Sequence, residues 1–488
     1  MSATQLAHVP FTELQKHDSR EDCWIAVHSK VWDLTDFIDE HPGGAEILLK
    51  NAGKNATQDF DAVHAPGILE ETLSDDKCKG ILEAASSDVP PQSTLQEAEN
   101  IDKSTSSAFY TGNPELHTLI SAGDFEKVAS KCLTAKTWAF YSSAATDLIT
   151  HGQNKSLLRR VMIQPRILRN VKNLNFRRRI LGHDCSAPFF ISPAAMARLA
   201  HPDGELALAR AANVEGVIQC ISNNASYPLG TIVQSGDAHQ PFFFQLYVNS
   251  DRRKTTELLL KARELGIKAI FVTVDAPVPG KREADERIAA GNIQSAISGA
   301  KATNDKKGGG LGRLMAQYID KSLTWTDIAW IKETSGLPVV LKGVQSIYDA
   351  RKAVELGVDG IFLSNHGGRS LDTAQAAILN LIELRMKAPE VFSKLEVYVD
   401  GGFERGSDIL KAIALGATAV GIGRPFLYSL VYGQEVLKDE IEVSMRLCGL
   451  TDLDQATPDM LNTSDVDYLV RTEKRFPPLS PRIERAKL

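Results

Sequence analysis

An α/β fold is predicted for this chain: a closed (β/α)8 barrel preceded by a small α+β module. Three observations lead there. Eight short apolar segments between Pro188 and Arg424 alternate with stretches long enough for a helix. Nearly all of them end in a residue that can do chemistry. Ahead of them lies an acidic stretch with strand and helix patterning of its own, set apart by a Ser-, Thr-, Pro- and Glu-rich segment.

The acidic stretch is expected to be a small domain over residues 1–85. Trp24-Ile25-Ala26-Val27 and Lys30-Val31-Trp32-Asp33-Leu34 are strand candidates around a polar turn, and Ala45-Glu46-Ile47-Leu48-Leu49 is patterned as a helix. From Met1 to Pro90 there are 7 Lys+Arg against 17 Asp+Glu, a net of −10; since the whole chain carries −6, the remainder carries +4. Such charge disfavours nucleic acid as a ligand of the first module and favours its docking on a basic surface. His41-Pro42-Gly43-Gly44 follows the strands, and His64 stands 23 residues beyond His41. A histidine beside Pro-Gly-Gly is often a plain turn residue. Two histidines on opposing loops can instead fill both axial positions of one haem iron, leaving none for oxygen, so that the centre passes electrons. On the His-Pro-Gly-Gly loop, the tryptophan-bearing strands and the second histidine, the segment resembles the cytochrome b5 family. That resemblance implies a b-type haem with His41 and His64 as its axial ligands.

Residues 86–108 hold too little apolar content to pack and read as a flexible linker, a tether on which an electron carrier could move. Residues 109–488 are expected to form the barrel and a C-terminal tail. Its strand candidates are Pro188–Ser192, Val217–Ser222, Phe242–Tyr247, Ala269–Asp275, Pro338–Gly343, Gly360–Asn365, Glu396–Gly402 and Ala419–Arg424. Short, apolar and separated by helical lengths, they have the pattern of parallel strands with crossover connections. Eight such units suggest a TIM barrel. An open doubly wound sheet is the alternative, but no GxGxxG follows the first strand. Barrel active sites gather at the carboxyl ends of strands, with phosphate sites after the last two. Here those ends supply Ser192, Ser222, Gln245 and Tyr247, Thr273 and Asp275, Lys342, His366, then Asp400-Gly401-Gly402 and Gly423-Arg424. The polar, Gly-rich stretch from Ala296 to Gly312 is expected to be solvated, with a lid over the site as the other possibility.

The sixth strand candidate runs directly into Ser364-Asn365-His366-Gly367-Gly368-Arg369. A proton acceptor and a carboxylate-binding guanidinium thus stand three residues apart on one turn, with glycines that allow close backbone approach. On this motif above all, residues from about Glu115 to Leu450 resemble the FMN-dependent 2-hydroxy acid dehydrogenase and oxidase family, and the whole chain resembles the flavocytochrome b2 type. The resemblance implies FMN and haem b as cofactors and a small 2-hydroxy acid as substrate. It makes His366 the base and Asp275 its orienting carboxylate. Arg282, Arg369, Tyr247 and the neighbouring Tyr141 would bind substrate. Pro193, Ala194, Ala195, Ser222, Gln245 and Thr273 would contact the flavin, and Lys342 would neutralise charge on it. Asp400, Gly401, Gly402, Arg405, Gly423 and Arg424 would hold the phosphate end.

Some positions depart from the family pattern. Phe140 replaces a tyrosine that touches the substrate carboxylate, Asn224 replaces an apolar residue in the substrate pocket, Ala144 replaces a glycine, and Glu404 stands where arginine is expected, leaving Arg405 as the nearest cation. A 2-hydroxy acid larger or more polar than lactate is the expected substrate. Electrons would pass through the haem to a cytochrome c-like acceptor. The alternatives are an oxidase that makes peroxide from O2 and a catalytically silent electron-carrier scaffold. The resemblance also favours a homotetramer. No apolar run approaches a membrane span and no basic-then-apolar leader is visible, so neither membrane nor export is expected. Six scattered cysteines without a CxxC argue for a reducing compartment and against a zinc site. The final Ala486-Lys487-Leu488 is a near variant of the Ser-Lys-Leu address and suggests the peroxisome; cytoplasm or the mitochondrial intermembrane space are the alternatives.

Overall fold

The computed structural model describes residues 7–39, 41, 45–57, 60, 69, 72–82, 114–291, 293–302, 304–305, 308–430 and 436–470. His64, the expected linker and the C-terminal tripeptide lie outside the described residues. The chain divides into two compact units, Met1–Ile101 and Asp102–Leu488.

In the first unit Trp24–Val27 and Lys30–Asp33 form the expected antiparallel pair. His28 and Ser29 at its turn both have positive φ, as a two-residue turn between right-twisted strands requires. Cys78–Leu82 adds to the other side of Lys30–Asp33, and His8–Val9 adds in parallel to that. These two strands had no clear alternation to reveal them. Ile25, Trp32, Leu34 and Ile38 form a core with Leu48 from the helix Ala45–Asn51.

The second unit is a closed barrel of eight parallel strands: β1 (Phe189–Ile191), β2 (Gln219–Ile221), β3 (Phe242–Leu246), β4 (Ala269–Thr273), β5 (Val339–Val344), β6 (Gly360–Leu363), β7 (Glu396–Val399) and β8 (Ala419–Ile422). Each pairs with the next, and β8 returns to β1. The eight predicted segments are these eight strands. They read as mostly apolar runs because both faces are covered, one by helices and the other by the barrel's own interior. That interior is an aromatic plug. Phe190 lies 5.5 Å from Phe362 and 5.6 Å from Tyr398 between ring centroids, with Phe243 and Phe271 beside it. A hairpin of Arg178–Ile180 and His183–Cys185 adds Ile180 and Cys185 to this plug. With the bore filled, space for a ligand is left at the ends of the strands.

Of the helices that precede the barrel, two border the strand ends: α1 (Ala135–Ser142), capped by the Thr134 side chain on the Thr137 amide, and α2 (Ile149–Arg160). The stretch after β4 corrects an expectation. Instead of being wholly solvated, Ile293–Gln294 pairs with Lys301–Ala302, and the helix Leu311–Leu314 follows. Ala302, Leu311 and Leu314 are buried, a few apolar anchors hidden in a polar composition. No helix among the described residues is long and apolar enough to cross a membrane.

Candidate active site

The carboxyl ends of the strands, with α1 and α2, surround one cavity. His366, Tyr247, Arg282, Arg369 and Tyr141 line it, as do Pro193, Ala194, Ala195, Ser222, Gln245, Thr273, Lys342, Asp400, Gly401, Gly402, Gly423 and Arg424. Asp275 stands behind His366.

The turn after β6 is over-determined. His366 has φ +61°, a conformation that strains a residue with a side chain, and such strain persists only when the surroundings enforce it. Ser364 Oγ accepts the His366 amide at 3.0 Å, and Asn365 Oδ1 accepts the Gly368 amide at 3.0 Å. Asn365 in turn exchanges two hydrogen bonds with Asn154 of α2. On the ring, Nδ1 lies 3.0 Å from Asp275 Oδ1, leaving Nε2 toward the cavity, 3.4 Å from the Tyr247 hydroxyl. Asp275 can stand so close because residue 343 is glycine: at φ +111°, a Cβ there would meet the Asp275 Cβ at 2.5 Å. Burial lowers the His366 pKa below the usual histidine value, with Asp275 pulling the other way, which favours the neutral imidazole, the form that can accept a proton. Burial works to raise the Asp275 carboxyl, but His366 and Lys342 together hold it below its usual range.

Arg369 donates to the carbonyls of Phe140 (2.8 Å), Tyr141 (3.0 Å) and Ser143 (2.7 Å). These sit at the C-terminal end of α1, the negative end of the helix dipole. Its guanidinium also lies over the Phe140 ring, 5.3 Å from the centroid, so the ring is kept as a platform where a hydroxyl is absent. Burial opposes charge on both Arg282 and Arg369, and on Arg369 the charge of Arg282 adds to it. Cations crowded together out of water call for an anion. The Tyr141 hydroxyl is spent on the Met196 carbonyl at 2.7 Å, so Tyr141 meets the cavity with its ring.

Deeper in, Ser222 donates to Gln245 Oε1 at 3.3 Å and Gln245 donates to Thr273 Oγ1 at 3.0 Å, a chain across the ends of β2, β3 and β4. Lys342 Nζ, almost fully buried, lies 3.3 Å from Ser364 Oγ and 3.8 Å from Asp400 Oδ2. Four buried polar atoms lining the cavity, Ser192 Oγ, Arg282 Nε, Asp400 Oδ1 and the Tyr428 hydroxyl, have no hydrogen-bond partner among the described residues. Such orphans fit a bound polar group. The residues therefore suit FMN: polar groups at the strand ends for its ring system, a buried ammonium beside it, and Gly401-Gly402 with Arg424 for its phosphate.

One predicted contact is corrected. Arg405 does not line the cavity; its guanidinium is 2.7 Å from Glu440 Oε1. Successive side chains on an extended segment point opposite ways, so Glu404 faces the cavity and Arg405 faces away. Sequence reasoning also missed Glu126, His151, Lys155, Met315, Ala316 and Ile319, all of which line the cavity. They come from helices and loops far along the chain, and no local pattern marks them.

In the first unit, the His41 ring lies 6.0 Å from that of Phe37. Partly buried Phe37, Leu49, Phe60, Leu69 and Leu73 pack on the core there, an apolar surface that suits a porphyrin.

Fold and site together define a barrel with a histidine–carboxylate pair and two arginines at a strand-end cavity whose lining suits a flavin. Residues 129–463 match the model of the FMN-dependent dehydrogenases, and residues 10–83 match that of the cytochrome b5-like haem/steroid binding domain. The L-lactate dehydrogenase (cytochrome) of Saccharomyces cerevisiae is 40% identical over 469 residues, which cover 93% of this chain and 79% of the relative. Glycolate oxidase 3 of Oryza sativa subsp. indica is 37% identical over 374 residues, 73% of this chain and the whole of that protein. Among solved structures, the flavin-binding domain of baker's yeast flavocytochrome b2 aligns with a TM-score of 0.66 at 41% identity, covering 75% of this chain and 91% of the other. The chain belongs to the FMN-dependent dehydrogenase family and, with its cytochrome b5-like domain, to the flavocytochrome b2 type: an FMN-dependent 2-hydroxy acid dehydrogenase whose cofactors are FMN and haem.

Proposed function

We propose that the enzyme oxidises an L-2-hydroxy acid with a side chain larger or more polar than the methyl of lactate, using His366 as base, and that the electrons leave through the haem to an external cytochrome. The observation that carries this reading is the His366 imidazole, its Nδ1 3.0 Å from Asp275 Oδ1 and its Nε2 facing a cavity that also holds two partly buried guanidiniums. Arg282 and Arg369 bind the substrate carboxylate and set the α-carbon within reach of Nε2. Tyr247 holds the 2-hydroxyl by a hydrogen bond. When Nε2 takes the proton, the charge that develops on the ring is stabilised by Asp275, which also fixes the tautomer that leaves Nε2 free to accept. Bound FMN supplies a two-electron acceptor, and Lys342 offers a buried positive charge beside it. His41 and His64 are the proposed axial ligands of the haem, a one-electron carrier.

Asn224 supports the substrate reading. It lines the cavity, and its Oδ1 accepts from Ser298 Oγ at 2.6 Å and from the Tyr318 hydroxyl at 3.0 Å. The amide orientation is thereby fixed, and among the described residues Nδ2 reaches only the Met315 carbonyl at 3.4 Å. One N–H remains to offer a substrate side chain.

The test is anaerobic stopped-flow mixing of the holoenzyme with a panel of L-2-hydroxy acids, following the flavin and haem bands together. Flavin bleaching followed by haem reduction is expected, and a His366→Ala variant should bleach far more slowly. Fastest bleaching by L-lactate would defeat the substrate assignment. Unchanged bleaching in the variant would defeat the base.

A further inference from the structure

We propose that Lys155 is the second cation of the FMN phosphate subsite and that Glu404 is its counter-ion, a pairing that substitutes for an arginine presented directly to the phosphate. The inference rests on the FMN site described above.

A phosphate dianion held at the protein surface needs positive charge close by. The glycine turn after β7 forms one wall of its subsite. A Cβ on Gly402, at φ +86°, would meet the Asn154 carbonyl oxygen at 2.5 Å and the Lys155 amide at 2.9 Å, so the turn lies directly against α2 at Lys155. Arg424 supplies one cation. It is held by the Gly367 carbonyl and by His151 Nδ1, the latter at 2.8 Å.

The other candidates are spent. Burial and the charge of Arg424 push the His151 pKa down to about 3, so it contributes no charge at neutral pH. Arg405 is turned onto Glu440, and Arg369, held at the end of α1, is given to the substrate carboxylate in the function proposed above. The backbone amides of Glu404 and Arg405 are taken by Asp408 Oδ2, and that of Gly406 by Glu440 Oε2.

Lys155 remains. It lines the cavity with Nζ 2.5 Å from Glu404 Oε1 and 3.4 Å from Glu126 Oε2. Both carboxylates line the same cavity. Left alone, two glutamates would repel a phosphate dianion. An ammonium has three donors, so Lys155 can hold a carboxylate and donate to a phosphate oxygen at once. Glu404 both places the ammonium and competes with the phosphate for it.

The test is a flavin fluorescence titration of apoprotein prepared from the full-length chain, with FMN and, as a probe lacking the phosphate, riboflavin. Lys155→Met is expected to raise the Kd for FMN about tenfold or more, the worth of a charge-assisted hydrogen bond, and to leave riboflavin unchanged. Glu404→Gln is expected to tighten FMN several-fold, again with riboflavin unchanged. Equal weakening of both flavins by Lys155→Met would mean a packing role for α2, and no change in either would mean no contact; each outcome overturns the proposal. Should Lys155→Met fail to fold, the FMN-to-riboflavin affinity ratio of Glu404→Gln decides alone, and an unchanged ratio overturns it. Wild-type apoprotein that binds neither flavin would defeat the FMN site itself, a distinct failure.

Discussion

Asn154 and Asn365 face each other across 211 residues of sequence and exchange two side-chain hydrogen bonds, each of 2.9 Å. Both are buried. Asn154 Oδ1 also accepts the Ala377 amide, and Asn365 also donates to the Gln375 carbonyl. The pair therefore fastens α2 to the turn that carries His366, and with the Ser364 and Asp275 hydrogen bonds it holds a strained histidine in place.

Asn154→Ala leaves the buried Asn365 amide half satisfied, at a cost of about 1–3 kcal/mol. The midpoint of urea unfolding should fall with its slope unchanged. Because a misplacement of about 1 Å can cost on the order of 100-fold in rate, kcat should fall as well, about tenfold or more. Full kcat in a variant of measurably lower stability would show that the turn is held without this pair.

The pH dependence follows from His366. Burial depresses its pKa, and the base is active when neutral, so kcat/KM should rise with pH along a limb whose midpoint lies below the ordinary histidine value near 6.5. Asp275→Asn removes the charge that favours the imidazolium. The acidic limb should then move to lower pH, and the plateau should drop roughly 100- to 10,000-fold, the range for losing general-base assistance. For stability the sign is the same: a depressed His pKa means that the native state binds fewer protons than the unfolded one below about 6.5, so this contribution is lost as pH falls. A limb that moved upward in Asp275→Asn would overturn the assignment.

The barrel was legible because its signal is collective. Phe242–Phe244 and Ala269–Val272 are continuous apolar runs, and the polar residues that follow near the strand ends, Gln245, Thr273 and Lys342, all line the cavity. Most of the expected site residues could thus be named from the strand ends. Facing direction was not legible. Arg405 and Glu404 are neighbours, and only the turn geometry after β7 decides which of them meets a ligand. Asn154 and Lys155 were equally hidden, since nothing in the local pattern of α2 tells that it packs on two turns more than 200 residues away.

For the haem, if His41 and His64 are its two ligands, His41→Ala and His64→Ala should each abolish the reduced b-type absorption bands, since loss of either ligand ends the six-coordinate, bis-histidine state that gives them. Flavin bleaching by substrate should survive in both. Difference spectra of dithionite-reduced protein supply the measurement, and intact bands in either variant would remove that histidine from the ligand set.

Side-chain selection is decided at Asn224. L-glycerate and L-lactate differ by one hydroxyl, which makes them a direct probe of the spare Asn224 N–H. A site built to hydrogen-bond a group discriminates against the analogue that lacks it, because the buried partner is then left unpaired. Wild-type enzyme should therefore favour glycerate in kcat/KM. Asn224→Leu should shift the ratio toward lactate by about 10- to 100-fold. That substitution also strips the Ser298 and Tyr318 hydroxyls of their shared acceptor, so the thermal midpoint should drop, which would lower both rates without changing their ratio. Only the ratio reports on specificity, and a ratio equal to that of the wild type would mean that Asn224 serves its two hydroxyl neighbours alone.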